Sequence, residues 1–329
     1  MDAILNLGIA LILFLQGLGE WLLSAMNFFT FLGYEEFYLF VAPAIYWCLD
    51  ASLGSRLGMS LMVSGTLNSV IKIALHSPRP YWIDTRVHAY STETSFGVPS
   101  GHAQNAAVVW GLLAARLRRG WAWAAAILII FLIGLSRLYL GVHFPHDVLI
   151  GWLVGGLLLW AILGLENRLA SFLEHLSPSG KAWLSFGFSL ALILLGVLAR
   201  LAMASYQVPQ TWVELATRAD PNAEPIDPLA LSGIISNAGV FFGLALGAIW
   251  IKGRGGFDAG GPAWKRLVRF LVGVAGVFLL WFGLGQIFPR GEALLPYLLR
   301  YLRYGLVGLW VSGLAPMLFL RARLAQTLR

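Results

Sequence analysis

The sequence predicts an all-α protein, a polytopic transmembrane helix bundle, and three observations predict it. Hydrophobic residues fill 58% of the 329 positions and charged ones only 12%, about half the charge of a soluble domain. Mean hydropathy is +0.75. Apolar runs of about 17–25 residues, the length that crosses a bilayer as a helix, recur from one end of the chain to the other. So little charge cannot cover a water-soluble body of this size, and lipid must be the solvent for much of it. The basic balance of 23 Lys and Arg against 16 Asp and Glu comes in short clusters between apolar runs. It forms no long tract or stripe, so no nucleic-acid partner is expected.

The runs lie near 36–52, 56–75, 102–117, 121–138, 146–165, 182–204, 229–251, 267–288 and 295–320. The stretch 3–32 is interrupted by Gln16, Gly17, Gly19 and Glu20. It either spans or lies in the interface on its Trp21 and Phe28 side. The chain begins Met1-Asp2-Ala3, with no basic region and no cleavage site after a short apolar run, so a signal peptide is not expected. A lone cysteine, Cys48, excludes an intramolecular disulfide. Gly151 with Gly155, and Gly239, Gly243 and Gly247, have the spacing of close helix–helix packing.

The loops set the orientation. Arg56, then Arg116, Arg118 and Arg119, then Arg168 and Lys181, then Lys252, Arg254, Lys265, Arg266 and Arg269, and finally Arg321, Arg323 and Arg329 occupy alternate connections. These hold most of the chain's lysines and arginines. The intervening loops are poor in basic residues, and 205–228 is acidic and proline-rich. The positive-inside rule puts the arginine clusters in the cytoplasm and the loops near 76–101, 137–146, 205–228 and 288–295 outside.

Three stretches on that outer side are unlike ordinary membrane loops. In Lys72-Ile-Ala-Leu-His-Ser-Pro-Arg79-Pro80, Lys72 ends a spanning helix, where an ionisable side chain points to function. Pro78 and Pro80 hold Arg79 in an extended backbone. Snorkelling of both cations to the headgroups is an equal alternative on this segment alone. In Pro99-Ser100-Gly101-His102, Ser100 is a good N-cap and Gly101 lets an oxyanion approach the helix start. A capped helix with an interfacial histidine is the plainer alternative. In Ser136-Arg137-Leu-Tyr-Leu-Gly-Val-His143-Phe-Pro-His146-Asp147, Pro145 suits a first helical turn. Asp147 can then fold back to accept from one imidazole nitrogen of His143, leaving the other free to attack. The rival reading takes His143, His146 and Asp147 as metal ligands, but Lys72, Arg79 and Arg137 would repel a metal and attract phosphate.

Taken in order, Lys-x6-Arg-Pro, Pro-Ser-Gly-His and Ser-Arg-x5-His-x3-Asp resemble the three signature motifs of the type-2 phosphatidic acid phosphatase superfamily, with every signature position occupied. The resemblance covers about the first half of the chain. It implies a six-helix phosphatase core, taken as 1–168, followed by an extension over 169–329 with about four further spans. It also implies roles. His143 is the expected nucleophile that becomes phosphohistidine, Asp147 orients it, and His102 is the general acid. Lys72, Arg79, Ser100, Gly101 and Arg137 form the phosphate cradle. Such a cradle of cations and helix N–H groups needs no metal or other cofactor.

The expected substrate is a lipid phosphate monoester or diphosphate, hydrolysed in the outer half of a membrane expected to be the bacterial inner membrane. Phosphotransfer to a lipid or sugar hydroxyl, hydrolysis of a soluble ester such as a sugar phosphate, and a lipid transporter or scramblase are the alternatives. Sphingosine-phosphate phosphatases and glucose-6-phosphatases are similar to this chain in carrying extra spans after a similar core. The extension leaves three roles open: a wall of the substrate path, a homodimer surface, or support of the core. Outside the signature positions, the outer-loop residues His76, His88, Tyr81, Trp82, Tyr90 and Phe96 either contact the substrate or anchor at the interface, and the anchor reading is preferred for aromatics at that depth. Glu93 is left between Arg86 and an active-site cation, and His175 is read as solvated.

Overall fold

A computed structural model describes residues 2–328, apart from the side chains of Asp2 and Glu36; Met1 and Arg329, the last cation of the expected tail cluster, lie outside the described residues. The described chain is helical, with no named strand and one isolated bridge between Asp258 and Gln326. The helices are α1 (Asp2–Gly17), α2 (Leu23–Phe31), α3 (Glu35–Cys48), α4 (Ala51–Leu75), α5 (Pro80–Ile83), α6 (Gly101–Leu117), α7 (Gly120–Tyr139) and α8 (Pro145–Glu174). They continue as α9 (Pro178–Ala202), α10 (Gln210–Ala219), α11 (Ser232–Lys252), α12 (Ala263–Phe278), α13 (Leu284–Ile287), α14 (Leu294–Leu309) and α15 (Ala315–Arg321).

Among the described residues, seven helical segments are long and apolar enough to cross a membrane: Ala51–Ile83, Gly120–Tyr139, Pro145–Glu174, Pro178–Ala202, Ser232–Lys252, Ala263–Ile287 and Leu294–Arg321. These answer seven of the nine expected runs. The other two form the shorter helices α3 and α6, of 14 and 17 residues. In α6 the apolar run is diluted by Gln104 and Asn105, both buried, because this helix faces its neighbours rather than lipid. By contrast α8 exposes Leu149, Leu153, Leu157 and Trp160, a stripe at helical spacing whose solvent is the bilayer. The protein is an integral multi-pass membrane protein.

The ambiguous stretch 3–32 is a bent pair. α1 and the helical segment Glu20–Phe31 meet at 86°, and Gly19 at the corner has φ 105°, a backbone that glycine adopts without strain. Gln16 holds the corner in place: its Nε2 donates to the carbonyls of His88 (2.7 Å) and Tyr139 (2.9 Å), and its Oε1 accepts from His88 N–H.

The chain divides into two compact units that do not follow chain order. The first contains the chain up to Tyr34, Leu67–Ala161 and Val197–Ala230; the second contains Glu35–Thr66, Ile162–Gly196 and the chain from Leu231. In the first unit the small residues of α8 do what their spacing predicts. A methyl group at Gly151 would lie 2.7 Å from the Ser100 carbonyl oxygen, and one at Gly155 would lie 2.5 Å from that of Gln104. Backbone of α8 therefore touches the start of α6. In the second unit Gly239 and Gly243 bring α11 against the backbone of α14 in the same way.

One expectation about the loop 76–101 is corrected. Tyr81, Trp82 and Phe96 are 2%, 0% and 0% exposed, so they are core residues and not interfacial anchors. The cover comes from a distant part of the chain. Tyr206, Trp212, Ile226 and Leu229 pack against the same cluster, with the Trp212 ring 6.0 Å from Trp82 and the Tyr206 ring 6.0 Å from Phe96. Asp227 N–H donates to the Thr94 carbonyl at 3.0 Å. His76 and Tyr90 join rings of the same layer, at 4.8 Å from Tyr206 and 5.6 Å from Tyr139.

Candidate active site

Each signature stretch acquires its geometry from its own local sequence. Arg79, between two prolines, is extended (φ −97°, ψ 157°) and caps the short helix α5, so its side chain leaves the end of the α4 span at a fixed angle. Ser100 is the N-cap of α6 and its hydroxyl accepts from Ala103 N–H at 3.4 Å. Behind it, Asn68 Nδ2 donates to the Pro99 carbonyl (3.2 Å) and to Gln104 Oε1 (2.9 Å), which pins the turn from α4. Pro145 opens α8, and the Asp147 carboxylate folds back over that first turn. Its Oδ2 accepts from Phe144 N–H at 2.9 Å and faces His143 Nδ1 at 3.0 Å.

These stretches meet in one network. Arg79 and His143 are 0% and 1% exposed, with Arg79 Nη1 3.3 Å from His143 Nε2. The guanidinium carries five N–H donors and no acceptor, so at this contact Nε2 is the acceptor. Its ring proton then sits on Nδ1, where Asp147 Oδ2 takes it. Arg79 further donates from Nε to the Ser95 carbonyl (2.6 Å), from Nη1 to the Val142 carbonyl (2.9 Å), and from Nη2 to Ser95 Oγ and the Phe96 carbonyl (both 3.2 Å). Lys72 Nζ shares two of those acceptors, Ser95 Oγ at 3.0 Å and the Phe96 carbonyl at 2.7 Å. Arg137, also buried, donates to Thr30 Oγ1 at 2.6 Å and forms a short charged hydrogen bond with Glu93 Oε1. Ser100 N–H donates to the Asp147 carbonyl at 2.9 Å, which ties the second stretch to the third.

Gly101 follows as the first residue of α6, where a methyl group would lie 3.2 Å from Asn68 Oδ1. His102 packs edge-on to Tyr34 at 4.8 Å and lies within electrostatic range of Arg137, Glu93, Lys72 and Arg79. Its Nε2 is buried and has no hydrogen-bond partner among the described residues. All eight expected site residues thus fall in the first compact unit and around one group of cations.

The sequence reading left the charge balance at His143 open. Burial, then the cations Arg79, Lys72 and Arg137, push its pKa well below the usual histidine value, so the imidazole is neutral at physiological pH. At Glu93 burial works the other way, but Arg79 and Arg137 outweigh it and hold the carboxyl at about 2.

Four residues of the network were not assigned from sequence. Glu93 had two candidate partners: Arg86 takes Asp84, two residues away, in a bidentate pair at 2.7–3.2 Å, and Glu93 goes to Arg79 and Arg137. That local pairing was readable from the spacing. Ser95, Thr30 and Asn68 carry no such signal. Among the described residues no group of three or more His, Cys, Asp and Glu is placed to hold a metal ion. His146 stacks on Phe144 at 5.3 Å, and its Nε2 lies 3.2 Å from Asp147 Oδ1. His175, exposed, faces the Ser171 carbonyl at 2.8 Å.

Comparison with known proteins identifies the family. Residues 54–171 match the family model described as the PAP2 superfamily, and residues 235–327 match a second, PAP2 superfamily phosphatase, transmembrane extension. Glucose-6-phosphatase 2 from Homo sapiens is 25% identical over 280 residues, covering 74% of this chain and 76% of the relative. Phosphatidylglycerophosphatase B from Bacillus subtilis (strain 168) is 36% identical over 126 residues, covering 35% of this chain and 60% of the relative. A crystal structure of a transmembrane PAP2-type phosphatidylglycerolphosphate phosphatase from Bacillus subtilis is 28% identical with a TM-score of 0.45, covering 51% of this chain and 88% of that one. With the three signature stretches gathered in one network and both family models matched in order, the chain belongs to the PAP2 superfamily.

Proposed function

We propose that this protein is a membrane phosphatase that hydrolyses a lipid phosphate monoester or diphosphate through a phosphohistidine. The observation that carries the reading is the ordered relay Asp147–His143–Arg79. It fixes the neutral tautomer with the Nε2 lone pair directed at a guanidinium, a cation that a phosphoryl oxygen can take over. In the first step His143 Nε2 attacks phosphorus and the bond to the leaving oxygen breaks, while His102 gives that oxygen its proton. In the second step water attacks the phosphohistidine with His102 as base, and inorganic phosphate leaves. Lys72, Arg79, Arg137 and the start of α6 at Ser100 and Gly101 stabilise charge on the equatorial oxygens. Asp147 stabilises the imidazole as it gains positive character.

No step calls on a metal, so orthovanadate inhibits and EDTA does not. The distribution of Lys and Arg among the loops supports an active site on the extracytoplasmic side of a bacterial inner membrane. An amphiphile whose tail stays in the bilayer suits a site so placed, and the likeness to phosphatidylglycerophosphatase B supports that substrate class. A second reading, a soluble sugar phosphate, is favoured by one observation: the alignment with glucose-6-phosphatase 2 covers 74% of this chain.

The test is phosphate release by the purified protein from phosphatidylglycerol phosphate, a polyprenyl diphosphate and glucose 6-phosphate, with His143→Ala as the blank. Release from the lipids that the variant abolishes supports the first reading, and release from glucose 6-phosphate alone supports the second. No release from any of them, with lipid flipping in liposomes, would leave a scramblase.

A further inference from the structure

Glu93 stands where a phosphatase has least use for a carboxylate. Its Oε1 accepts the short charged hydrogen bond from Arg137, and its Oε2 lies 3.7 Å from Arg79 Nη2. These two guanidiniums are the ones that the proposed reaction needs for the phosphoryl oxygens. An anion hydrogen-bonded to Arg137 and within ion-pair distance of Arg79 competes with an incoming one. With Glu93 in place, the three cations Lys72, Arg79 and Arg137 face the two carboxylates Glu93 and Asp147, a surplus of one positive charge. With the Glu93 arm withdrawn the surplus matches a phosphate dianion.

The two ends of the residue are held differently. The Tyr81 hydroxyl donates to the Glu93 carbonyl at 3.1 Å and accepts from its N–H at 2.9 Å, and Tyr81 itself is 2% exposed. The backbone is therefore pinned. The side chain is 24% exposed, against 0% for both arginines, so the arm reaches water while its partners do not. Unlike Asp147, which is bonded to its own helix start, Glu93 sits in an irregular loop, where a rotamer change disturbs no helix.

We infer that Glu93 is a displaceable counter-anion, a built-in occupant of the phosphate cradle that swings out toward water when a phosphoryl group binds Arg79 and Arg137 and returns to help expel the product phosphate. This rests on the proposed phosphatase reading and adds to it a residue that competes for the phosphate cradle. The exchange is of one anion for another. It therefore needs no proton, in keeping with a carboxyl that stays ionised at any physiological pH. Its effect is to weaken the binding of free phosphate, which has no anchor outside the cradle. A substrate anchored elsewhere loses less.

The test uses the full-length protein in detergent, with inorganic phosphate and orthovanadate as probes in titration calorimetry. Glu93→Gln keeps the shape and removes the competing charge, so phosphate should bind about tenfold more tightly than to wild type, roughly 1.4 kcal/mol. If Glu93 instead only orients the arginines, the same variant binds phosphate more weakly, and that result overturns the inference, as does unchanged affinity. A measurement on wild type needs no variant to fold. Carbodiimide labelling of Glu93, read by mass spectrometry, should rise under saturating vanadate, as the carboxylate leaves its arginines for water. Labelling that falls or stays level rejects the swing. Wild type that binds neither probe would instead sink the phosphatase reading itself, so the two failures are distinguishable.

Discussion

Replacing Asp147 separates two functions that its carboxylate combines. A single oxygen, Oδ2, faces both His143 Nδ1 (3.0 Å) and Phe144 N–H (2.9 Å), while Oδ1 faces His146 Nε2 at 3.2 Å. Asparagine can therefore put its carbonyl oxygen at the Oδ2 position, keep both hydrogen bonds and preserve the tautomer of His143. Its amide then meets His146, whose Nε2 can accept. What Asp147→Asn loses is the negative charge beside an imidazole that turns positive when phosphorylated. Two unit charges about 4 Å apart interact by about 4 kcal/mol at an effective dielectric of 20. The amide dipole recovers part of this, leaving a loss of about 2–3 kcal/mol, or roughly 30–200-fold in rate. Asp147→Ala loses the orientation as well and leaves the buried Phe144 N–H unpaired, a further cost of about 1–3 kcal/mol. Its rate should fall roughly tenfold or more below that of the asparagine variant. The assay is initial-rate phosphate release by the two purified variants, with thermal unfolding as a check on folding. Equal losses in the two variants would refute the shared-oxygen argument, and no loss in either would remove Asp147 from the reaction.

Three further outcomes are expected. Arg79→Lys keeps the charge but supplies three donors from one atom in place of five in a planar fork. It cannot reach the Ser95, Phe96 and Val142 carbonyls and His143 together, so kcat/KM should drop by about 10²–10³ without rescue at higher pH. The depressed pKa of His143 keeps the nucleophile neutral below its ordinary range, so the acid limb of the kcat/KM profile should lie below about pH 6.5. A limb at or above that value would show that burial and the neighbouring cations do not control this histidine. Gly155→Ala sets a methyl group against the Gln104 carbonyl, and overpacking of this kind costs about 1–3 kcal/mol; a lowered unfolding temperature in detergent checks it.

The sequence made the helical membrane architecture legible because lipid imposes one simple rule, that a spanning segment be long, apolar and internally hydrogen-bonded. Seven runs obey it. The rule weakens where a helix faces protein on all sides, as at α6 with its buried Gln104 and Asn105. It weakens too where a span bends, as at Gly19. The eight candidate site residues were singled out for another reason: each stretch alone left a plainer reading open, but the three in order resemble one family's signature motifs, and Pro78, Pro80, Pro145 and the Ser100 cap explain the local geometry of those stretches. Residues that act across the chain were hidden. Thr30 reaches Arg137 over 107 positions, and Asn68 reaches the Pro99 carbonyl from the preceding span. The burial of Trp82 depends on Trp212 and its neighbours, in a stretch that reads only as an acidic, proline-rich loop. Loop aromatics look alike in sequence whether they anchor at an interface or are covered from elsewhere.

Arg79 shows what this folding achieves for the proposed chemistry. Each of its five donors already has an acceptor: three backbone carbonyls, Ser95 Oγ and His143 Nε2. Four of these are fixed by the chain, so the cation cannot turn away when phosphate arrives. The fifth, on His143, is the bond that the proposed reaction must exchange, since the Nε2 lone pair that accepts from Nη1 is the one that would attack phosphorus. One motion thus frees the nucleophile and turns an N–H toward the phosphoryl oxygen. The reorganisation that solvent would otherwise require is completed when the protein folds, which is why a buried, fully bonded arginine can stabilise developing charge more than a mobile surface one.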